Sequence, residues 1–185
     1  MKITISDDDK IKLLVLARKV IEARASGGEA PSTEGLNETL ASQEAGVFVS
    51  LHKQGQLRGC VGFTEPEKDI GKGVIRSAQS AAFQDTRFSP VSGSETQDLE
   101  IEISLLSPPA MVGSHDEIVL GRHGIIMEKS GRRALFLPQV PGEYGWDLAT
   151  TLSHLSSKAG LPKDAWKEGA QFYVFESLAF SESED

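Results

Sequence analysis

Apolar side chains recur along the chain with two different periods, and the switches between them outline the fold. Near the start, Leu13, Leu14, Leu16, Ala17, Val20 and Ile21 fall on one side of a helix, with Lys12, Arg18, Lys19 and Glu22 on the other. Ser6 and Asp9 have capping-box spacing, Asp7 and Asp8 sit where the helix dipole favours negative charge, and Gly27-Gly28 supplies a stop. Residues 27–43, rich in Gly, Ser, Thr and Glu and holding Pro31, read as a long surface connection. The period then becomes two. Val47, Val49 and Leu51 alternate with Phe48, Ser50 and His52, Lys53-Gln54-Gly55 breaks the run, and Leu57 to Phe63 resumes it, which predicts a β-hairpin. With Gly55 at the left-handed position of a three-residue loop, Val47, Val49 and Leu51 oppose Val61, Gly59 and Leu57 on an apolar face. Arg58 and Cys60 then share the other face with Phe48, Ser50 and His52, whereas a two-residue loop would exchange the faces.

Ile70, Val74, Ala78, Ala81 and Ala82 make a narrow small-residue face on a second helix, which starts near Asp69 and ends around Asp85, ahead of Pro90. Asp98 to Leu106 alternates as a strand, stopped by Pro108-Pro109. Glu117 to Leu120 reads as a short strand, and Ile125–Glu128 with Arg133–Leu137 as a hairpin closed by Lys129-Ser130-Gly131. Asp147 opens a third helix with Leu148, Leu152, Leu155 and Ala159 on one face and Gly160 as its stop. Pro162 opens a short fourth helix through Trp166, Phe172 to Phe180 is a final apolar strand, and residues 181–185 are an acidic tail expected to fray. Helices mixed with strands that come as hairpins predict an α+β fold, mainly an antiparallel sheet with flanking helices.

Composition narrows the function classes. Of 185 residues, 39% are hydrophobic and 25% charged, the balance of a globular protein with a real core. A net charge of −8 gives no long-range attraction to phosphate backbones or anionic lipid, so neither nucleic acid nor membrane is an expected partner. The first residues lack the apolar core of a signal peptide, and no stretch approaches the ~18 apolar residues of a membrane span. The single cysteine forms no internal disulfide, which suits a reducing compartment and makes the cytoplasm the expected location. Paired cysteines, a close histidine pair, a Walker loop, a dinucleotide glycine fingerprint and a nucleophile elbow are all missing, so no metal or cofactor is expected.

Candidate chemistry centres on Leu57-Arg58-Gly59-Cys60-Val61-Gly62. Glycine inside a strand often marks a bulge or the close approach of backbone or ligand, and a guanidinium beside a thiol favours the thiolate. Cys60 is therefore a candidate nucleophile or thiolate contact, with Arg58, Gly59 and Gly62 lining a small-residue pocket. The plainer alternative makes Cys60 a small buried hydrophobe and Arg58 a partner in a structural ion pair. In the register above, Phe48 pairs with Cys60, and His52 lies roughly 13 Å along the strand, too far for a Cys–His pair. His115 and His154 read as exposed positions. His123, between Gly121 and Gly124, is a candidate proton carrier in a tight turn or simply a turn residue. In Gln84-Asp85-Thr86-Arg87-Phe88-Ser89-Pro90, Arg87 is a candidate anion contact and Asp85 a proton carrier, or the two pin the loop. Gln139, in Leu137-Pro138-Gln139-Val140-Pro141, either reads a polar ligand or serves a rigid turn.

The hexapeptide resembles the Leu-Arg-Gly-Cys-Ile-Gly signature of the AMMECR domain family, whose bacterial and archaeal members are called AmmeMemoRadiSam system protein A. Val61 is a conservative departure. Gly46–Leu51, Asp85–Val91, Glu100–Ser104, Leu137–Val140, Gly145-Trp146-Asp147 and Lys158–Leu161 resemble further family blocks, in family order. Ser156-Ser157 stands where relatives often carry a cysteine, so a two-cysteine redox mechanism has no second thiol here. The resemblance implies one domain over residues 1–185 with two unequal lobes and the motif near a cleft. It also implies partnership with a Memo-like protein and a radical SAM protein. Two readings follow. In one, an enzyme or enzyme component binds a small anionic ligand through Arg58 and Arg87, with Cys60, Asp85 and His123 as its chemistry. In the other, a non-catalytic binding or scaffold module uses the motif structurally.

Overall fold

The computed structural model describes all residues except 1, 2, 34, 35, 37–39, 41, 42, 184 and 185. Part of the 27–43 connection and the end of the acidic tail thus lie outside the described residues. The chain forms two compact units, one built from Ile3–Leu106 and Leu178–Asp185, the other from Ser107–Ser177.

The larger unit contains helix α1 (Asp7–Ala25), strands β1 (Ala45–Lys53) and β2 (Gln56–Glu67), helix α2 (Ile70–Phe83) and strand β3 (Leu99–Leu106). Its sheet is completed by the chain's last strand, β8 (Ser177–Ser181), in the order β2-β1-β3-β8. Ser6 caps α1 by accepting the Asp9 N–H at 3.2 Å, and Asp69 caps α2 by accepting the Lys72 N–H. Leu13, Ala17, Val20, Ile70, Val74 and Ala78 are fully buried with Val49, Leu51, Ile101 and Ile103 of the sheet. The small residues of α2 allow close approach: a Cβ at Gly73 would stand 2.7 Å from Val47 Cγ2, and the Ser77 hydroxyl donates to the Val47 carbonyl.

The hairpin corrects the expected register. Lys53 pairs with Gln56, so the loop has two residues, Gln54 and Gly55, both at positive φ. Such a loop alone would exchange the faces. A β-bulge cancels the exchange, since Leu51 pairs with Gly59 while His52 pairs with Leu57, leaving Arg58 as the extra residue. Gly59 and Val61 keep the apolar face with Leu51 and Val49, but Leu57 falls opposite His52 and is 41% exposed. Cys60 pairs with Ser50, not Phe48.

The acidic tail is anchored at its start, contrary to the expected fraying. Glu182 accepts two hydrogen bonds from Arg18 and one from the Ile101 N–H, because the turn after β8 brings it over the end of β3. The 27–43 stretch is not wholly superficial either, since Leu40 is fully buried in the core.

The smaller unit holds β4 (Ala110–Val112), β5 (Gly124–Lys129), β6 (Arg132–Phe136), helices α3 (Val140–Tyr144) and α4 (Leu148–Lys158), and β7 (Gln171–Phe175). Its sheet runs β4-β7-β5-β6, and α4 buries Leu152 and Leu155 with Ile125, Met127 and Phe172. The expected strand at Glu117–Leu120 is a short 3₁₀ turn, His115–Glu117, followed by a loop. Ser114 and Glu117 form a capping box there, and that local pattern prevails over the apolar alternation. The short helix expected from Pro162 narrows to a 3₁₀ turn at Ala165–Lys167. The single strand expected at Phe172–Phe180 is two strands in different sheets, parted at Glu176, whose main chain exchanges hydrogen bonds with Ser107.

Candidate functional site

β2 is the end strand of its sheet, and its main chain alternates between facing β1 and facing outward. Ser50 and Cys60 are a pair whose main-chain groups point away from each other, which brings the side chains close: the Ser50 hydroxyl donates to Cys60 Sγ at 3.3 Å. The outward main chain of Cys60 is taken up by side chains. Its N–H donates to Asp85 Oδ2 at 2.9 Å, and its carbonyl accepts from Arg87 Nη2 at 3.0 Å. Asp85 and Arg87 thus occupy the place of a neighbouring strand at this one residue. The Phe48–Gly62 pair has the same parity, so Gly62 also turns its N–H and carbonyl outward.

Asp85 follows the end of α2 and is held by an Asx-type turn, with Oδ1 accepting both the N–H and the Nε–H of Arg87. Its side chain is 6% exposed, whereas that of Arg87 is 56% exposed. The hydrogen bonds from Arg87 hold the Asp85 carboxyl far below the usual carboxylate range; burial opposes this, and the Cys60 N–H reinforces it. A carboxylate so committed is a poor proton carrier at neutral pH.

Arg58, carried by the bulge, does not serve the thiol. Its Nε and Nη2 bind Glu95 at 2.8 and 3.1 Å, and Lys53 Nζ stands 3.5 Å from the same carboxylate. Arg58 chiefly, against burial, lowers the Glu95 pKa. Arg58 Nη1 is the one buried side-chain nitrogen or oxygen without a hydrogen-bond partner among the described residues. The Phe88 ring offers a partial substitute, with its centroid 6.0 Å from Arg58 Cζ and 5.5 Å from Arg87 Cζ.

The two motif glycines are filled by packing. A Cβ at Gly59 would overlap the Ala81 carbonyl oxygen of α2, and one at Gly62 would overlap the Phe48 ring. The expected small-residue pocket at Gly59 and Gly62 is therefore taken by protein atoms, although Cys60 itself stays half-buried. His52 is nearer to Cys60 than the expected register put it, two residues from Ser50 or about 7 Å along β1.

Arg58, Gly59, Cys60, Gly62, Asp85 and Arg87 come together in the larger unit; His123 and Gln139 belong to the smaller one. His123 Nδ1 accepts the Val119 N–H at 3.1 Å, and the main-chain N–H of His123 donates to the Val119 carbonyl at 2.9 Å, so ring and main chain together close the turn. Burial foremost, then Arg122, lowers its pKa, and Glu176 partly offsets this. Gln139 is exposed and starts α3, its carbonyl accepting the Glu143 N–H. Sequence reasoning missed Glu95 and Phe88 as partners of the motif. Glu95 lies 37 residues from Arg58, in a loop with no periodic pattern to announce it. Among the described residues, no three His, Cys, Asp or Glu side chains are placed to hold a metal ion, and no helix is long and apolar enough to cross a membrane.

An α+β protein with two four-stranded antiparallel sheets, and a Leu-Arg-Gly-Cys-Val-Gly segment on the end strand of one, is the class these features define. The chain belongs to the AMMECR1 family, which it matches over residues 14–180. A Methanopyrus kandleri protein is 41% identical over 182 residues, covering 93% of this chain and 87% of its own. A Methanosarcina acetivorans protein is 38% identical over 177 residues, covering 91% and 89%. The crystal structure of an uncharacterised protein from Pyrococcus horikoshii superposes with a TM-score of 0.85 at 36% identity, covering 97% of this chain and 94% of that one.

Proposed function

We propose that this AMMECR1-family chain is a binding module that receives an extended, acidic segment of a partner protein along the outer edge of β2. The observation that carries this reading is the outward main chain of Gly62, next along the edge from Cys60, the one residue that the Asp85–Arg87 pair closes. Side chains satisfy the strand there, while the next outward residue, Gly62, keeps its main-chain donor and acceptor for an added strand. Phe63, Lys72, Ile75, Arg76, Gln79, Ser80 and Gln84 line a shallow cavity of about 550 Å³ beside that edge. Arg76 stacks on Phe63 at 3.5 Å and donates to Glu67 at 2.9 Å, and Lys72 lies 3.7 Å from Asp69, so an acidic segment reaches this rim by competing with Glu67 and Asp69 for two largely exposed cations. In this reading Arg58, Cys60, Asp85 and Arg87 hold the strand in place, and the anionic ligand is a side chain of the partner. The Memo-like and radical SAM proteins implied by the family resemblance are the first partners to try. Isothermal titration with each purified partner tests this. The expected result is binding that survives Cys60→Ser and is weakened at least tenfold by Arg76→Glu. Binding abolished by Cys60→Ser, with the fold intact, overturns it.

A thiol-dependent reaction is the second reading. It is favoured by the Ser50 hydroxyl donating to a half-buried sulfur in the row Cys60–Ser50–Glu102 across three strands. Rapid alkylation of Cys60 by iodoacetamide in the folded protein supports it; a thiol unreactive until unfolding removes it.

A further inference from the structure

The exposed face of α1 carries a pattern independent of the β2 edge. Ile11 is 60% and Val15 45% exposed, one helical turn apart, although the rest of the apolar stripe on α1 is buried. Two large apolar side chains one turn apart form a small patch that an interface would remove from water. Exposed Asp7 continues the row one turn before them and exposed Lys19 one turn after, so the row Asp7-Ile11-Val15-Lys19 reads acid, apolar, apolar, base. The next row of the helix is Lys10-Leu14-Arg18-Glu22. The two rows, with Phe180, Ser181 and Glu182 of the β8 end opposite, line an open groove of about 690 Å³. The floor is rigid. Arg18 spans it through Glu182 and the carbonyls of Thr96 and Leu99, at 2.6–2.9 Å.

We infer that this groove is the docking surface for a second copy of the chain, with the two α1 helices antiparallel about a two-fold axis near residue 13. Rows of residues four apart are the ridges that pack into grooves between helices. A two-fold contact must be self-complementary, because each copy presents the same patch. In the antiparallel arrangement Ile11 lies beside Val15 of the second copy and Asp7 beside Lys19 of the second copy, twice over. In the parallel arrangement Asp7 meets Asp7 and Lys19 meets Lys19, so charge alone selects the antiparallel one. The present Asp7–Lys10 contact, 2.8 Å within one helix, is an exposed pair that Lys19 of the second copy can share.

Sedimentation velocity of the whole chain, from micromolar to millimolar protein, tests this. A reversible monomer–dimer equilibrium is expected, and Ile11→Glu is expected to leave only monomer. Asp7→Lys and Lys19→Asp each place like charges together at two symmetric points and raise the dissociation constant about tenfold. The double variant Asp7→Lys/Lys19→Asp restores opposite charges and returns it to within about threefold of the parent. Circular dichroism melts confirm that each variant is folded; if Ile11→Glu does not fold, the charge-reversal set decides alone. A chain monomeric throughout, a dimer indifferent to Ile11→Glu, or a double variant weaker than either single one overturns the inference.

Discussion

The Cys60 strand and the His123 turn look alike in sequence and differ in cause. Each sets a chemically versatile side chain between glycines. In β2 the glycines are small because protein atoms lie against them, the Ala81 carbonyl at Gly59 and the Phe48 ring at Gly62, and neither has positive φ. In the turn, Gly121 has φ +81° with nothing within 4 Å of a would-be Cβ, so its role is conformational, while Gly124 makes room for the Phe175 ring. The His123 ring is absorbed into its own turn. The main chain of Cys60 instead lies on an open sheet edge that two side chains cap at a single residue. A glycine beside a reactive residue is thus no sign of empty space; what separates the two regions is where the main-chain hydrogen bonds go.

The sharpest way to break that contrast is to fill the glycines. Gly59→Ala and Gly62→Ala force α2 or Phe48 to move, and each is expected to destabilise the larger unit by about 2–4 kcal/mol. Gly121→Ala meets no atom but must hold a left-handed backbone, at about 1 kcal/mol. Denaturant titration followed by far-UV circular dichroism measures all three. Indole fluorescence does not report on the larger unit, because Trp146 and Trp166 both lie in the smaller one. Equal losses at Gly59 and Gly121 would erase the distinction.

Next in size is Asp85→Asn. It removes the carboxylate that accepts from Cys60 and Arg87, and about 1–3 kcal/mol is expected, kept modest because Arg87 is half exposed. The folded-state pKa of Asp85 is depressed, so its contribution is complete above the ordinary carboxyl pKa of about 3.9 and is lost as pH falls below it. The parent therefore loses stability below about pH 4 more steeply than Asp85→Asn does. Parallel acid limbs in pH-dependent melts would show that the carboxylate is not held as described. Cys60→Ala follows at about 1 kcal/mol, since it gives up one weak hydrogen bond from Ser50 and a few half-buried contacts.

Much of this was legible in the chain, and the misses share a cause. The helices announced themselves through caps as well as periodicity: Ser6, Asp69 and Asp147 each accept the main-chain N–H that their spacing predicts. The faces of the β1–β2 hairpin were readable too, but for a compensated reason. A two-residue turn and a bulge at Arg58 each shift the alternation, and together they restore it, so period-two reading finds Gly59 and Val61 correctly and misplaces Leu57 and the partner of Cys60. The candidate residues separated for a related reason. Arg58 and Arg87 were recognisable as cations beside the motif, but whether a cation faces a ligand or an internal carboxylate depends on contacts distant in sequence. Arg58 finds Glu95 across 37 residues, and Asp85 finds the Cys60 N–H across 25. No local pattern carries such pairings.

The smallest effect is expected at His123, and it sharpens the comparison through pH. Burial favours the neutral imidazole in the folded state, with Nδ1 accepting from Val119, so the folded-state pKa lies below the ordinary value of about 6.5. The unfolded chain therefore binds more protons near that value, and the contribution of His123 is present above it and fades as pH falls through it. This window lies well above the one set by Asp85. His123→Asn keeps an acceptor near the Nδ1 position and removes the titration. At neutral pH its cost should stay below about 1 kcal/mol, the size of one exposed hydrogen bond. Between pH 7 and 5 it should flatten the stability profile of the smaller unit, read here by the fluorescence of Trp146 and Trp166. A slope unchanged by His123→Asn would assign the titration to another group and leave the turn with only its hydrogen bond.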